Sequence, residues 1–379
     1  MSTAITPSLP VSFAELVDPR RPGRTFAFAL GEIITIALCA AIGGANDWVA
    51  VEAFGNAKLA WFQRFLNVEH GIPSHDTFGR VFARLDPAAF QNCFREWIAG
   101  VCHGLGIRHV AIDGKRLAGS QDAGVGVQAL HLVSAWASDV RLTLAQVAVD
   151  DKSNEITAIP KLLEMLEIAG ALVTIDAMGC QKEIATTIRR QQADYVLAVK
   201  ENQPHLYEDI ERLFREALEQ ETLERQWACH AQDETNHGRE EKRLCWVLHE
   251  LEGIRDRQAW KDVQSVIVVV TERGVGGKSS SELRYYISSR KADAATFAQA
   301  IRRHWGIENE CHWVLDVVFK EDGSRIRKDW EAENVGWLRR MVLSMLKQVK
   351  GKRSLTATRL TAGWNEEFLE QILLDLMGN

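Results

Sequence analysis

The sequence predicts an α/β fold: a mixed β-sheet flanked by helices, with a β-rich insertion and a helical domain in front. Residues 1–105 carry helical apolar patterns, and from Ile107 short apolar runs alternate with amphipathic helices. Two of those runs close on an acid, Ile112 before Asp113 and Ile175 before Asp176. Ligand sites of open α/β sheets form outside strand C-termini, so this pattern bears on function as well as fold.

In chain order, residues 26–41 read as one apolar helix and 88–102 as another. Between them, residues 73–80 carry helix-start chemistry with Ser74 as N-cap and an amphipathic continuation to Leu85, a helix-turn-helix arrangement of the kind that can contact DNA. Strands are expected at 109–112, 130–137, 142–149, 172–175 and 195–199, with helices at 156–169 and 181–192. Three closely linked strands suit a meander; helix, strand, helix, strand then places helices on the sheet faces. A helix at 201–224 follows, then strands at 244–248, 265–271 and 283–288, the last two joined by a turn at 274–277. The expected domains are 1–105, a core of 106–350 with its insertion at about 203–290, and a helical tail of 351–379.

Composition narrows the function classes. The 379 residues are 46% hydrophobic and 25% charged, ordinary for a globular protein. The most apolar stretch, 26–45, contains Glu32, is too short beyond it to span a bilayer, and starts too late for a secretory signal, so a cytoplasmic protein is expected. Seven cysteines without a C-x-x-C pair indicate reduced thiols, neither a disulfide framework nor a zinc ribbon. The net charge of -6 argues against a nonspecific nucleic-acid coat. Residues 320–359 nevertheless carry eleven Lys or Arg against five Asp or Glu, which suits a polyanionic substrate near an acidic site.

The acids are the candidate site. Residues 293–319 read as one long helix with Asp293 as N-cap, and Phe297, Ile301, His304, Glu308, Cys311 and Leu315 fall on its core-facing stripe. Glu308 interrupts that stripe, whereas Glu310 points away from it and is expected to be solvated. Asp316, beside the stripe, is a weaker competitor. Any one of Asp113, Asp176 and Glu308 could be a turn, cap or snorkelling residue. Together, in core-like settings, they suggest a divalent-cation site, because buried carboxylates are costly unless paired or bound to metal. Magnesium takes hard oxygen ligands, and two such ions activate the attacking oxygen and stabilise the leaving oxygen of an in-line displacement at phosphorus.

The runs 109–115 (HVAIDGK), 173–179 (VTIDAMG), 304–309 (HWGIEN) and 315–322 (LDVVFKED) resemble transposases of the ISAs1 group, the H-repeat-associated proteins, within the IS4-like DDE transposases. The resemblance covers nearly the whole chain, including an N-terminal region similar to the transposase-associated domain. It implies an RNase H-like core in which Asp113, Asp176 and Glu308 are catalytic metal ligands, with two Mg2+ ions that Mn2+ can replace. It further implies hydrolysis of a DNA phosphodiester followed by strand transfer, on double-stranded DNA comprising terminal inverted repeats and target, by a homo-oligomer.

The broader IS4-like signature of Tyr, Arg, Glu and Lys on the third-acid helix is kept only at Glu308; Ile301, His304 and Leu315 stand at the other three positions. Phosphate contacts are therefore expected from Arg302, Arg303 and Lys320, together with Lys115 and His304. Arg325, Arg327 and Lys328 of the basic segment complete the expected nucleic-acid set. Trp227, Trp246 and Trp260 of the insertion are available for stacking on bases, although a core role suits Trp246 better. Two rival functions are a catalytically silent DNA-binding descendant and a zinc metallohydrolase built on His304, Glu308 and His312 with Cys311 nearby.

Overall fold

The computed structural model describes residues 9–21, 26–102, 105–121, 124, 128–149, 154–236, 239–275, 278–349 and 351–377. Its centre is a nine-stranded sheet of β1 (His109–Arg116), β2 (His131–Ala137), β3 (Leu142–Ala148), β4 (Leu172–Ile175), β5 (Asp194–Val199), β6 (Ala228–Asn236), β7 (Arg239–Leu248), β8 (Ser265–Val275) and β9 (Lys278–Ser288). The order is β3-β2-β1-β4-β5-β9-β8-β7-β6. β1, β2 and β3 form the expected antiparallel meander, and β1, β4 and β5 run parallel. That five-strand arrangement, with helices on its faces, is RNase H-like.

The insertion extends this same sheet, because β9 pairs antiparallel with β5. It holds four strands where three were expected. β6 was missed because its sequence, ACHAQDETN, has no apolar alternation. Ion pairs organise this part: Arg243 on β7 reaches across to Glu234 on β6 at 3.1 Å and along its own strand to Glu241 at 2.7 Å, and Arg273 on β8 reaches across to Glu241 at 3.3 Å. Residues 276–277 of the expected turn lie outside the described residues, and β8 and β9 pair as far as Val275 opposite Lys278.

In the N-terminal region the apolar helix runs Leu30–Ile42. Its one acid explains its start: the Glu32 carboxylate accepts from the Ala29 amide at 2.7 Å and satisfies a first-turn donor. The helix His75–Phe82 follows Ser74 as expected, but the Ser74 hydroxyl meets Thr77 Oγ1 at 3.1 Å and caps no main-chain amide. Phe78, Val81 and Phe82 of this helix are buried, and Asn334 donates to the Phe82 and Leu85 carbonyls at 2.8 and 3.0 Å. Asn334 belongs to the helix Glu331–Gln348, which is buried along most of its length. The C-terminal helices Leu355–Trp364 and Glu366–Met377 clasp the same region, with Arg359 donating to the Ala41 carbonyl and Glu370 accepting from Trp61 Nε1 at 2.7 Å. Among the described residues no helix is long and apolar enough to cross a membrane. All seven cysteines are free thiols.

Gly119 shows how tightly the site's flank is built. A Cβ there would lie 2.2 Å from the Ser324 carbonyl oxygen and 2.5 Å from that of Asp322, both main-chain atoms that cannot swing aside. Gly119→Ala is expected to cost about 1–3 kcal/mol, read as a lowered urea midpoint with an unchanged slope.

Candidate active site

The parallel ladder of β1 and β4 ends at Ile112 opposite Ile175. The next residue on each chain is an acid, so Asp113 and Asp176 emerge side by side from strands roughly 4.8 Å apart. Only Asp176 truly ends its strand. β1 continues to Arg116 because β2 keeps it extended, with Asp113 opposite Ser134. Asp113 is thus a mid-strand residue at the fork where β4 turns away. Asp176 starts that turn, its Oδ1 accepting from the Met178 and Gly179 amides at 3.2 and 3.3 Å.

Glu308 arrives from the expected helix, which is not uniform. After the Asp293 cap, α-helix runs Ala294–Gly306, a π turn spans Ile307–His312, and α-helix resumes at Trp313–Val317. The wider turn shifts the helical phase, so Ile307 and Cys311 take the core positions and Glu308 is exposed in the cleft rather than lying in the inward stripe. It shares the cleft with Asp176, Thr174, His304 and Arg284. Glu310 is not freely solvated either; it accepts from Arg141 at 3.2 Å and Lys347 at 3.3 Å.

Electrostatics ties the acids into one site. Burial raises the Asp113 carboxyl, but the hydrogen bond and charge of His312, with His304 beyond, outweigh it and hold the group below the ordinary carboxylate range. His312 Nδ1 lies 3.3 Å from Asp113 Oδ2. Asp176 and Glu308 move the other way: burial pushes both up, Glu155 and Asp113 add to Asp176, and Asp113 and Asp176 add to Glu308. Neighbouring carboxylate oxygens of this kind have the donor chemistry of a hard divalent-cation site. Among the described residues, no three His, Cys, Asp or Glu side chains stand close enough together to hold a metal ion as they are placed.

A fourth carboxylate was not anticipated. Glu155, nearly buried at the start of the helix Glu155–Glu164, pairs with His131 Nε2 at 2.8 Å. It packs over Gly114, where a Cβ would come within 2.1 Å of its Oε1. The residue next to Asp113 must therefore be glycine for Glu155 to reach the site. Only its first-turn position on a helix leading to β4 hints at this in sequence.

Behind the cleft, Thr174 Oγ1 lies 3.0 Å from His304 Nδ1 and 3.2 Å from His109 Nε2, and His109 Nδ1 lies 3.0 Å from Ser138 Oγ. Burial holds His304 below the ordinary imidazole range and brings His109 down to about 4, so the His109 ring is neutral near pH 7.

The expected phosphate contacts divide. Lys115 is buried and held by Asp316 at 2.6 Å and Asp322 at 3.3 Å, which leaves its ammonium unsuited to DNA; a strand residue inside the sheet edge points into structure. Its partner Asp316 is committed to that pair. Arg303 is engaged by Asp139 at 2.7 Å, Arg302 by Glu234 at 3.3 Å, and Arg327 donates to the Gly119 carbonyl at 3.0 Å. Lys320, Arg325 and Lys328 are exposed, and His304 lines the cleft. The basic segment is less of a surface than its charge implied, because Arg339, Arg340 and Arg359 are buried. Trp227 and Trp260 are also buried, and Trp246 packs against Phe214. Trp305 does reach the cleft, as do Tyr207, Tyr285 and Tyr286, and the Arg284 guanidinium lies 4.8 Å over the Trp305 ring. The zinc arrangement does not form: His312 turns to Asp113, and Cys311 is buried against Thr143.

Residues 11–98 match the family model described as DDE_Tnp_1-associated, and residues 104–345 match the Transposase DDE domain. YncI of Escherichia coli O157:H7 is 39% identical over 362 residues, covering 94% of this chain and 92% of its own. YhhI of Escherichia coli (strain K12), an H-repeat-associated protein, is 39% identical over 353 residues, 91% of this chain and 92% of its own. Both are provisionally named as transposases. A piggyBac transposase synaptic complex with hairpin DNA, solved by cryo-electron microscopy, aligns over 97% of this chain and 76% of its own with a TM-score of 0.43 and 12% identity.

Proposed function

Because the chain belongs to the DDE transposase family, an enzyme family that acts on DNA and depends on divalent metal, we propose that Asp113, Asp176 and Glu308 are its catalytic carboxylates and hold two Mg2+ ions, for which Mn2+ can substitute. The observation that supports this reading is the fork after Ile112 and Ile175, which puts Asp113 and Asp176 on neighbouring strands, with Glu308 sharing a cleft with Asp176. Bound there, the metal supplies Lewis-acid activation of the attacking oxygen and neutralises charge on the leaving oxygen.

The chain's own residues do the positioning. His312 orients Asp113, the Met178 and Gly179 amides hold Asp176, and the π turn aims Glu308. Exposed Lys320, Arg325 and Lys328, with cleft-lining Lys200, are suited to the DNA backbone. The proposed reaction hydrolyses a phosphodiester at a terminal inverted repeat to expose a 3′-hydroxyl, then joins that end to target DNA by transesterification. Residues 1–105 serve as the end-binding helical domain, 106–350 as the catalytic domain with its insertion at about 203–290, and 351–379 as the tail. The enzyme works in the cytoplasm as a homo-oligomer on double-stranded DNA.

The test is a cleavage assay with duplex DNA carrying the repeats that flank this reading frame. Strand cleavage leaving a 3′-hydroxyl, present with Mg2+ and abolished by EDTA, is the expected result. Equal cleavage with EDTA would reject the metal reading.

A further inference from the structure

The hydrogen bonds behind the cleft have a direction. The Ser138 hydroxyl donates to the Arg303 carbonyl at 3.3 Å. Its one proton is thereby used, so at 3.0 Å Ser138 Oγ must accept, and His109 carries its proton on Nδ1. In the neutral ring Nε2 is then an acceptor, and the Thr174 hydroxyl, 3.2 Å away, donates to it. Thr174 Oγ1 in turn accepts from His304 Nδ1–H at 3.0 Å. A main-chain carbonyl thus fixes four hydroxyl and imidazole groups in sequence, and the last of them is left with a bare Nε2.

That nitrogen makes no hydrogen bond to the described residues and is not sealed from solvent. His304 lines the cleft together with Asp176 and Glu308, and the Asp113 charge acts on its ring. We propose that His304, locked in its Nδ1–H tautomer by Thr174, His109 and Ser138, is a nitrogen ligand of the metal site through Nε2. The inference rests on the proposed assignment of Asp113, Asp176 and Glu308 as metal ligands. An imidazole beside the carboxylates makes the ligand set mixed nitrogen and oxygen rather than all oxygen. Thr174 is the positioning residue, since the partner of a ligating histidine's other nitrogen sets ring orientation and tautomer.

Electron spin echo measurements on the full-length protein with Mn2+ alone test this without reference to activity. The expected result is a directly bound nitrogen signal that changes on 15N-histidine labelling and is lost in His304→Gln, while Mn2+ still binds through the acids. Thr174→Val is expected to weaken Mn2+ binding by about 10–100-fold. Should His304→Gln not fold, His312→Gln is the complementary variant, in which the signal must persist. Bound Mn2+ without histidine nitrogen coupling would overturn the role of His304 and leave the acid triad standing. A signal that survives His304→Gln or vanishes in His312→Gln would also overturn it. Failure of the wild type to bind Mn2+ at all would overturn both readings.

Discussion

Asp113→Asn, Asp176→Asn and Glu308→Gln are each expected to lower DNA strand cleavage by roughly 10³-fold or more, the loss of several kcal/mol of transition-state charge stabilisation. Stability separates them. Asp176 and Glu308 are held above the ordinary carboxylate range by burial and by neighbouring acids, so their charged forms oppose the metal-free fold near neutral pH. Neutralising either should leave the unfolding midpoint unchanged or slightly raised, and Asn at 176 retains an oxygen for the Met178 and Gly179 amides. Asp113 is held low by His312, so Asp113→Asn forfeits a favourable pair and should lower the midpoint. Cleavage assays beside thermal melts in EDTA check both halves. Wild-type cleavage by any of the three variants would remove that residue from the mechanism.

Glu321→Ala is expected to be the most destabilising change away from the acids, by about 3–5 kcal/mol. Glu321 is 1% exposed and Arg340 0%, and they meet at 3.0 Å beneath the helix Glu331–Gln348. Removing the carboxylate leaves a guanidinium with no path to water, and Nε and Nη2 of Arg340 already lack protein partners. Replacing the pair together, Glu321→Leu with Arg340→Met, should recover most of the loss, because the burden is the unpaired charge rather than the missing attraction. Urea denaturation of the two single variants and the double variant gives the coupling directly. Additive losses in the double variant would show that the pair is not coupled in this way.

Legibility in the sequence followed the physical origin of each feature. β1 to β5 were readable because apolar runs of strand length register burial on both faces. The Asp293 cap was readable from local chemistry alone, and the structure has its carboxylate accepting from the Thr296 amide at 2.7 Å. β6 was not, since its stability comes from β7 and from charge pairs across strands. The π turn at 307–312 escaped a helical-periodicity argument that assumes 3.6 residues per turn, and it reversed the expected surroundings of Glu308 and Glu310. Burial of Lys115, Arg339, Arg340 and Arg359 was equally invisible, because a charge count along the chain does not record which way a side chain points.

The sequence by itself determined the α/β architecture and, through its motifs, the family, and it singled out the three acids as candidates, since each is written in local residue patterns. Tertiary structure alone decided that the Asp113 and Asp176 strands part at one level, that Glu308 turns outward, that Glu155 lies over Gly114, and that Thr174 joins two histidines into a directed chain. These depend on which strands pair and on a helical phase shift of one residue. Pairing and phase are settled by long-range packing that neighbouring residues in the chain do not encode.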